Sequence, residues 1–401
     1  MNRNQILLLV GLGVILGGLG YYFTSSRRAS FDTGRDVREG QKLLGNFPVN
    51  DVVRVVLRSR DGDVTLYRTN GLWVVADRAG YPAAFTQVAD LLRKLWDLRA
   101  VQTQQVGQSQ WGRLDLLAPV KDGPTNSATL IELLDKEGRP VRSLLLGKQQ
   151  MRDTGGQFGG FPVGRWLALP DNKENVFVTS ESFSEVEPKP ENWLNKDFFK
   201  VEKLVGIQLV STNADASWSL LRTNDAAEWT LADARSGEQL DNAKVSGLNW
   251  AFSSPSFTDV HAKDDAAVKD AFAAPTVLQL ATADGFRYEL KVGAQPDADS
   301  YWLAVAAAAE LPAQRAAPAD EAPEAKEAAE KAWKEAQDKL KAKLKQEQAL
   351  AGWVFKSPKW TVDSVLKDRS ALLATNTPAA AVDIPAEVIP PLRPAGEAPE
   401  K

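Results

Sequence analysis

The sequence predicts an α+β fold built from two tandem repeats, each an antiparallel sheet with a covering helix. Two observations lead to this prediction. The stretch LYRTNGLWVVAD (66–77) returns, with changes, as LLRTNDAAEWTLAD (220–233). Each half of the chain also alternates apolar and polar residues around turn residues, and helical periodicity occurs in one early segment. Hairpins with a single early helix indicate α+β rather than a parallel, doubly wound sheet.

The duplication extends beyond this stretch. SATLIELLDKEGRPVRSLLLG corresponds to APTVLQLATADGFRYELKVG, which pairs Gly138 with Gly285. Three tryptophan pairs also recur in the two halves: Trp73 with Trp229, Trp96 with Trp250, and Trp166 with Trp302. Because twelve tryptophans could also form a carbohydrate platform, their placement matters. Recurrence at equivalent positions favours duplicated core residues.

The first repeat shows the elements in order. The segments VVRVVLRS (52–59) and VTLYRT (64–69) flank a turn and predict a hairpin, to which LWVVA adds a third strand. Further strands are predicted at 127–134, 140–146, 163–169 and 175–179. One helix face between them collects apolar residues at three-to-four spacing: Phe85, Val88, Leu91, Leu92, Leu95 and Leu98.

The second repeat carries an inserted arm at about 318–350. The arm is rich in alanine, glutamate and lysine, with pairs such as Glu327 and Lys331 at the favourable i,i+4 order, and predicts a long, coiled-coil-like helix. Its narrow apolar stripe consists of Ala329, Trp333, Ala336, Leu340 and Leu344. The stripe either packs on its own domain or meets a partner, and Trp333, Leu340 and Leu344 are the candidate partner contacts. We expect deletion of 318–348 to leave both domains folded.

The N-terminal region predicts a membrane anchor. Residues 6–23 form an uncharged run long enough to cross a bilayer, and a cleaved signal peptide is the alternative. Arginines lie on both sides of the run, so charge bias does not set its orientation, but a short N-terminus before a large domain favours an extracytoplasmic bulk. Gly13 and Gly17 form a GxxxG pair that could pack two anchors into a homodimer.

These features divide the chain into five parts. They are a cytoplasmic N-terminus and transmembrane anchor (1–28), a tether (29–46), the first α+β repeat (47–200), the second α+β repeat with its arm (201–375), and a proline- and alanine-rich tail (376–401) that we expect to be disordered.

The composition excludes several chemistries. A net charge of -4 argues against a nucleic-acid partner, and zero cysteines exclude thiolate metal sites and a cysteine nucleophile. His261 stands alone, and the glycine cluster 155–160 lacks the lysine of a phosphate loop. The acid pairs Asp61/Asp63 and Asp264/Asp265 occur in turn-like surroundings. We therefore expect no catalytic residues, no cofactor and no metal, and no enzyme.

The order of motifs resembles a known family. The succession is a hairpin, Trp-x-x-x-Asp, one amphipathic helix, Trp-Gly-Arg-Leu-Asp-Leu, a hairpin ending in Leu146-Gly147, and a closing Lys196-Asp197 or Lys367-Asp368-Arg369. It resembles the domain of unknown function 4340 family over roughly residues 43 to 375, although the second repeat lacks the Gly-Leu-Asp element. The resemblance implies a membrane-anchored bacterial envelope protein, often encoded beside a gliding-motility-type ABC transporter, with no established catalytic residues.

The leading hypothesis is a scaffold or accessory subunit in the bacterial inner membrane, with its bulk in the periplasm, that binds protein partners such as ABC transporter subunits. The alternative is a cell-wall glycan-binding protein or hydrolase. A row of exposed tryptophans beside a carboxylate pair would favour the alternative.

Overall fold

The computed structural model of the chain describes residues 39–152, 160–316, 321 and 323–374. Within them, two antiparallel sheets follow one another along the chain. The first contains β1 (Arg54–Arg58), β2 (Asp63–Thr69), β3 (Leu72–Val75), β4 (Tyr81–Pro82), β5 (Gln102–Gln105), β6 (Thr129–Leu134), β7 (Pro140–Arg152), β8 (Phe161–Ala168) and β9 (Asn175–Thr179). The second contains β10 (Leu204–Val210), β11 (Trp218–Leu221), β12 (Thr230–Leu231), β13 (Asp259–Ala262), β14 (Thr276–Thr282), β15 (Phe286–Val292), β16 (Ser300–Ala309) and β17 (Trp353–Pro358).

Three helices accompany the sheets in the described part of the chain. They are α1 (Phe85–Asp97), α2 (Asn242–Val245) and α3 (Pro323–Gln348), and short 3-10 turns connect other elements. The α+β prediction with two antiparallel sheets and few helices is therefore confirmed.

The two sheets have the same topology. The first has the order β4-β3-β2-β1-β6-β7-β8-β9-β5 and the second β12-β11-β10-β14-β15-β16-β17-β13. Apart from β4, each strand of one sheet has a counterpart at the same place in the other. The internal duplication predicted from the sequence is confirmed at the level of strand order.

Two pairs of glycines show why particular positions recur. Gly138 and Gly285 close the equivalent hairpins β6–β7 and β14–β15 with φ of 78° and 89°, a region that glycine enters without a steric penalty. A Cβ at Gly147 or Gly293 would lie under 3.0 Å from a main-chain carbonyl oxygen, that of Leu114 or Ala271. Each sheet thus needs glycine where a 3-10 turn crosses its surface.

The repeated Trp-x-x-x-Asp motif has the same role in both copies. Trp73 and Trp229 are buried, as predicted. Asp77 accepts a hydrogen bond from the backbone N–H of Thr65 at 2.8 Å, and Asp233 accepts one from that of Ser219 at 3.3 Å. In each copy, this aspartate links the second strand of the sheet to the segment that follows the third strand.

Three core predictions need correction. Trp96 and Trp250 are 39% and 76% exposed, so these recurring tryptophans lie on the surface. Phe85 is 65% exposed, because it occupies the first position of α1 and points away from the face that carries Val88 and Leu91. Trp166 and Trp302 are only partly buried.

Different elements cover the inner, core-facing side of each sheet. In the first copy, α1 buries Val88, Leu91, Leu92 and Leu95 there. In the second copy, the equivalent helix shrinks to the four residues of α2 and a 3-10 turn (Ser246–Trp250). The arm helix α3 packs against β16 and adds the cover that the short helix lacks.

Several predictions concern residues outside the described ranges. The anchor at 6–23, its Gly13 and Gly17, most of the tether and the tail at 376–401 all lie there. Among the described residues, no helix is long and apolar enough to cross a membrane.

Candidate interaction surfaces

An ion pair joins the two repeats. Arg78, just after β3, donates two hydrogen bonds to the carboxylate of Asp259 in β13, at 2.6 and 2.8 Å. Both side chains are about four-fifths buried, and the carboxylate of Glu191 lies 3.7 Å from the same guanidinium. The hydrogen bond to Asp259 raises the pKa of Arg78, which favours the charged guanidinium. Such a two-point contact fixes orientation as well as distance.

An aromatic cluster lies beside this ion pair. The ring of Tyr81, in β4, meets Phe257, Trp353 and Phe355 of the second repeat edge-on, with centroids 5.0 to 6.2 Å apart. Phe198, in the connection between the repeats, packs on two of these rings, those of Phe257 and Phe355. Burial raises the pKa of Tyr81. The junction is therefore hydrophobic, and one cluster of buried apolar residues extends through it from the first repeat into the second.

The arm helix is attached to the second repeat along its C-terminal half. Leu340 and Leu344 pack against the core, and Gln337 and Glu347 are 6% and 2% exposed. Of the predicted stripe, Ala329 and Trp333 are partly buried and Ala336 is exposed, because Gln337 takes its place on the packed face. Leu340 and Leu344, two of the candidate partner contacts, are thus engaged within the chain.

A buried carboxylate marks this attachment. Glu347 accepts hydrogen bonds from the hydroxyl of Tyr288 and from the backbone N–H of Lys200, both at 2.9 Å. Burial raises the pKa of Glu347, and burial together with the nearby carboxylate raises that of Tyr288. Lys343 reaches Glu202 at 3.3 Å and lies over the ring of Phe286. Polar and apolar contacts together hold this half of α3.

The N-terminal half of α3 is different. The side chains of Lys326, Glu327, Lys331, Lys334 and Glu335 are exposed. Arg315, which precedes the helix, pairs with Glu321 and lies 3.5 Å from Glu330 in this half. This half therefore presents a charged surface to solvent. Trp333, which is partly buried, lies at its C-terminal end, near the middle of the helix.

The outer side of the second sheet, opposite its core, forms an open trough of about 510 Å³. Small residues and longer polar side chains both line it, among them Gly206, Leu221, Ala281, Arg287, Ala306 and Ala308. Leu221 is 50% exposed although it is a large apolar residue. Sequence reasoning did not identify this trough. The signal was available in the small residues of the second repeat, but strand register was needed to align them.

The histidine, the acidic residues and the glycine cluster considered as catalytic or ligand-binding candidates do not come together in one site. His261 contacts Asp265 at 2.8 Å and the ring of Trp302 edge-on. Asp61 pairs with its neighbour Arg60 in an exposed turn. Among the described residues, no group of three or more histidine, cysteine, aspartate or glutamate side chains could hold a metal ion. The glycine cluster falls in 155–160, of which only Gly160 is described.

A comparison with protein families gives a match that covers parts of both repeats. Residues 73–271 match the model of a domain of unknown function, DUF4340. This part of the chain belongs to the DUF4340 family. The DUF4340 match begins in β3 and ends in the 3-10 turn Lys269–Phe272, so it spans the junction between the repeats. Searches of curated proteins and of solved structures returned no significant match.

Proposed function

We propose that this DUF4340 protein is a single-pass, membrane-anchored scaffold or accessory subunit. It binds protein partners of the cell envelope outside the cytoplasm, and subunits of an ABC-type transport complex are the partners that the family resemblance implies. The anchor is the uncharged run at 6–23.

The unequal halves of α3 carry the proposal. The second half supplies core packing through Leu340, Leu344 and Glu347. Most side chains of the first half are exposed, and its alternating charges favour a helix without tertiary support. The first repeat joins β8 to β9 by a short loop and closes its sheet without such a helix. A long, exposed helix held at one end is suited to present a charged surface to a partner.

The packed junction supports the same role. The ion pair between Arg78 and Asp259 and the rings around Tyr81 join two sheets into one platform. A scaffold must hold its binding elements in a fixed geometry, because rigid presentation lowers the entropic cost of binding.

The proposal is tested with two charge-reversal variants of the full-length, membrane-embedded protein. The first carries Lys326→Glu, Lys331→Glu and Lys334→Glu in the exposed half of α3. The matched control carries Lys339→Glu, Lys341→Glu and Lys345→Glu on the solvent side of the attached half, where the side chains are equally exposed. Both change the net charge by the same amount.

Partners are recovered by affinity purification and quantified by mass spectrometry. We expect the first variant to lose at least one envelope protein that the wild type and the control retain. Equal recovery with all three proteins would contradict the role of α3. Sedimentation of the protein with isolated cell-wall glycan, without any co-purified protein, would replace the proposal with the glycan-binding alternative.

The topology is tested separately, because the anchor lies outside the described residues. Protease added to intact spheroplasts is expected to digest the two repeats. Complete protection, with digestion after lysis, would place the repeats in the cytoplasm and overturn the proposed location.

A further inference from the structure

The strands β7 and β8 continue beyond the rest of the first sheet. The last pair between β8 and β9 joins Arg165 with Thr179, and β7 has by then passed the end of β6. Residues 150–152 and 161–164 pair with each other alone among the described strands, and we call these two segments the ribbon. In the second sheet, β15 ends at Val292, where it still pairs with both of its neighbours. The ribbon is therefore specific to the first repeat.

Large apolar side chains are exposed on the ribbon and beside it. Met151 and Phe161, on the ribbon, are 56% and 50% exposed. Val101, which is 49% exposed, precedes β5, and its backbone N–H donates to a carbonyl of β9 at the same end of the sheet. Trp96 lies in the last turn of α1, and the ammonium group of Lys42 lies 3.0 Å from the centre of its ring. A group of exposed apolar residues marks a surface that meets another molecule or a membrane.

The described part of the chain begins at this same end of the sheet. The backbone N–H of Gly40 donates to the carbonyl of Ala100 at 2.8 Å, directly before Val101. Residues 24–38, which separate this point from the uncharged run at 6–23, can span at most about 50 Å. An anchored protein is thus tethered to the bilayer by this end of the first repeat, and a tether gives even weak contacts a high effective concentration.

The ribbon matches the dimensions and the chemistry of a membrane surface. Strands rise about 3.4 Å per residue, so residues 161–164 project roughly 13 Å, enough to cross a headgroup layer of roughly 5 to 8 Å. Lys148 and Arg152 are exposed on the same strand as Met151. Their long side chains can reach lipid phosphates while Met151 and Phe161 contact the acyl chains.

We propose that this end of the first repeat is a lipid-contacting face, in which the ribbon inserts into the headgroup layer and Trp96 lies at the membrane interface, where tryptophan is enriched. The inference rests on the proposed function, because it requires the anchor. A protein could also cover exposed apolar residues, but the tether at this end and the two cations beside Met151 favour a lipid surface. A second contact beside the anchor would restrict the orientation of both repeats on the membrane.

Quenching by labelled lipids tests this face, because the chain has no cysteine and a single introduced thiol takes one fluorescent probe. The full chain is inserted into vesicles of phosphatidylethanolamine and phosphatidylglycerol, in which some lipids carry a nitroxide near the top of the acyl chain. The test protein carries the probe at Met151→Cys. The control carries it at Leu72→Cys, which is 62% exposed and lies at the opposite end of the same sheet, where β7 begins.

We expect quenching at Met151→Cys to exceed that at Leu72→Cys at least about threefold, because only the ribbon would reach the depth of the nitroxide. Adding Phe161→Asp to the test protein should remove most of this excess. Its thermal unfolding midpoint should stay unchanged, since the side chain of Phe161 is half exposed. Equal quenching at the two probes, or quenching that Phe161→Asp does not lower, would overturn the proposal.

Flotation of the same vesicles separates this inference from the proposed function. Protein that does not float with the vesicles would overturn both, because no anchor would hold it to the bilayer. Protein that floats without excess quenching at Met151→Cys would overturn the lipid contact alone. Shielding of this probe from aqueous iodide in isolated cell membranes, but not in vesicles of lipid alone, would replace the lipid with a protein as the occupant.

Discussion

The first and second repeats share one strand order but differ in what covers their sheets. On the inner side, a thirteen-residue helix covers the first sheet, whereas α2 and the C-terminal half of α3 share this role in the second. On the outer side, the side chains of Arg54, Tyr67 and Leu134 occupy one row of the first sheet, whereas the second sheet has a trough at the equivalent row. The copies retained their strand pairing and tight turns, while the covering elements and surfaces diverged. We therefore expect functions specific to one repeat to lie in its covering helices and its sheet surface.

The largest expected effect tests the shared core. Trp73→Ala and Trp229→Ala should each lower the free energy of unfolding by about 3 to 5 kcal/mol, because both rings are buried at equivalent places. Trp250→Ala is the control, since its ring is 76% exposed, and it should change stability by no more than about 0.5 kcal/mol. Urea unfolding measures all three. A small loss for one buried tryptophan and a large loss for the other would mean that the cores are not equivalent.

A second prediction concerns the recurring glycines. Gly147→Ala and Gly293→Ala should each cost about 1 to 3 kcal/mol, because the new methyl group would collide with a carbonyl oxygen of the crossing turn. The controls are Gly107→Ala and Gly247→Ala, where a Cβ would meet nothing within 4 Å. Thermal or urea unfolding distinguishes the sets. If the Gly293→Ala protein were as stable as its control, the close approach would be dispensable in the second copy.

A third prediction concerns the ion pair at the junction. The equivalent edge strand of the first sheet has no acidic residue at the position of Asp259. At the position of Asp259 the first sheet has Gln102, as the pairing of β13 with β17 and of β5 with β9 shows. A double-mutant cycle with Arg78→Ala and Asp259→Ala should give a coupling energy of about 0.5 to 3 kcal/mol. The pair Arg93 and Asp90 on α1, exposed and 2.9 Å apart, should couple by less than about 1 kcal/mol. Equal coupling in the two cycles would show that burial at the junction adds nothing.

Duplication, hairpins and the long helix were all predictable, because side-chain periodicity and turn residues are local properties of the sequence. Which tryptophans are buried was not, since Trp96 and Trp250 recur at equivalent positions yet both rings are exposed. The trough and the attachment of α3 depend on register and on contacts between distant segments, such as Glu347 with Lys200 and Tyr288. Deletion of 318–348 is now expected to destabilise the second repeat, because it removes Leu340, Leu344 and Glu347 from the core.

The smallest expected effect is a pH dependence at the attachment of α3. Burial raises the pKa of Glu347 above its ordinary 4.5, so the folded protein binds this proton more tightly than the unfolded chain does. Its contribution to stability is fully present below 4.5 and is lost as the pH rises through the raised pKa. Glu347→Gln removes this loss, so the variant should gain stability relative to wild type between pH 4.5 and 7.5.

The opposite sign is expected for Glu202, whose pKa is lowered by its hydrogen bond with Lys200. Its contribution is present above its ordinary pKa of 4.5 and is lost as the pH falls through the lowered value. Glu202→Gln should therefore lose stability relative to wild type as the pH rises to neutrality. Urea unfolding across this range measures both variants, and slopes of the same sign would contradict the assigned environments.

Hydrogen exchange along α3 in the full-length protein tests the central claim most directly, which is that this helix covers the second sheet with one half and presents the other to solvent. Amides of residues 337–348 should be protected nearly as well as those of β15 and β16, because they unfold with the core. Amides of residues 323–333 should exchange at least about tenfold faster, since local opening there costs far less than global unfolding. Uniform protection along the whole helix, or rapid exchange throughout it, would contradict the account.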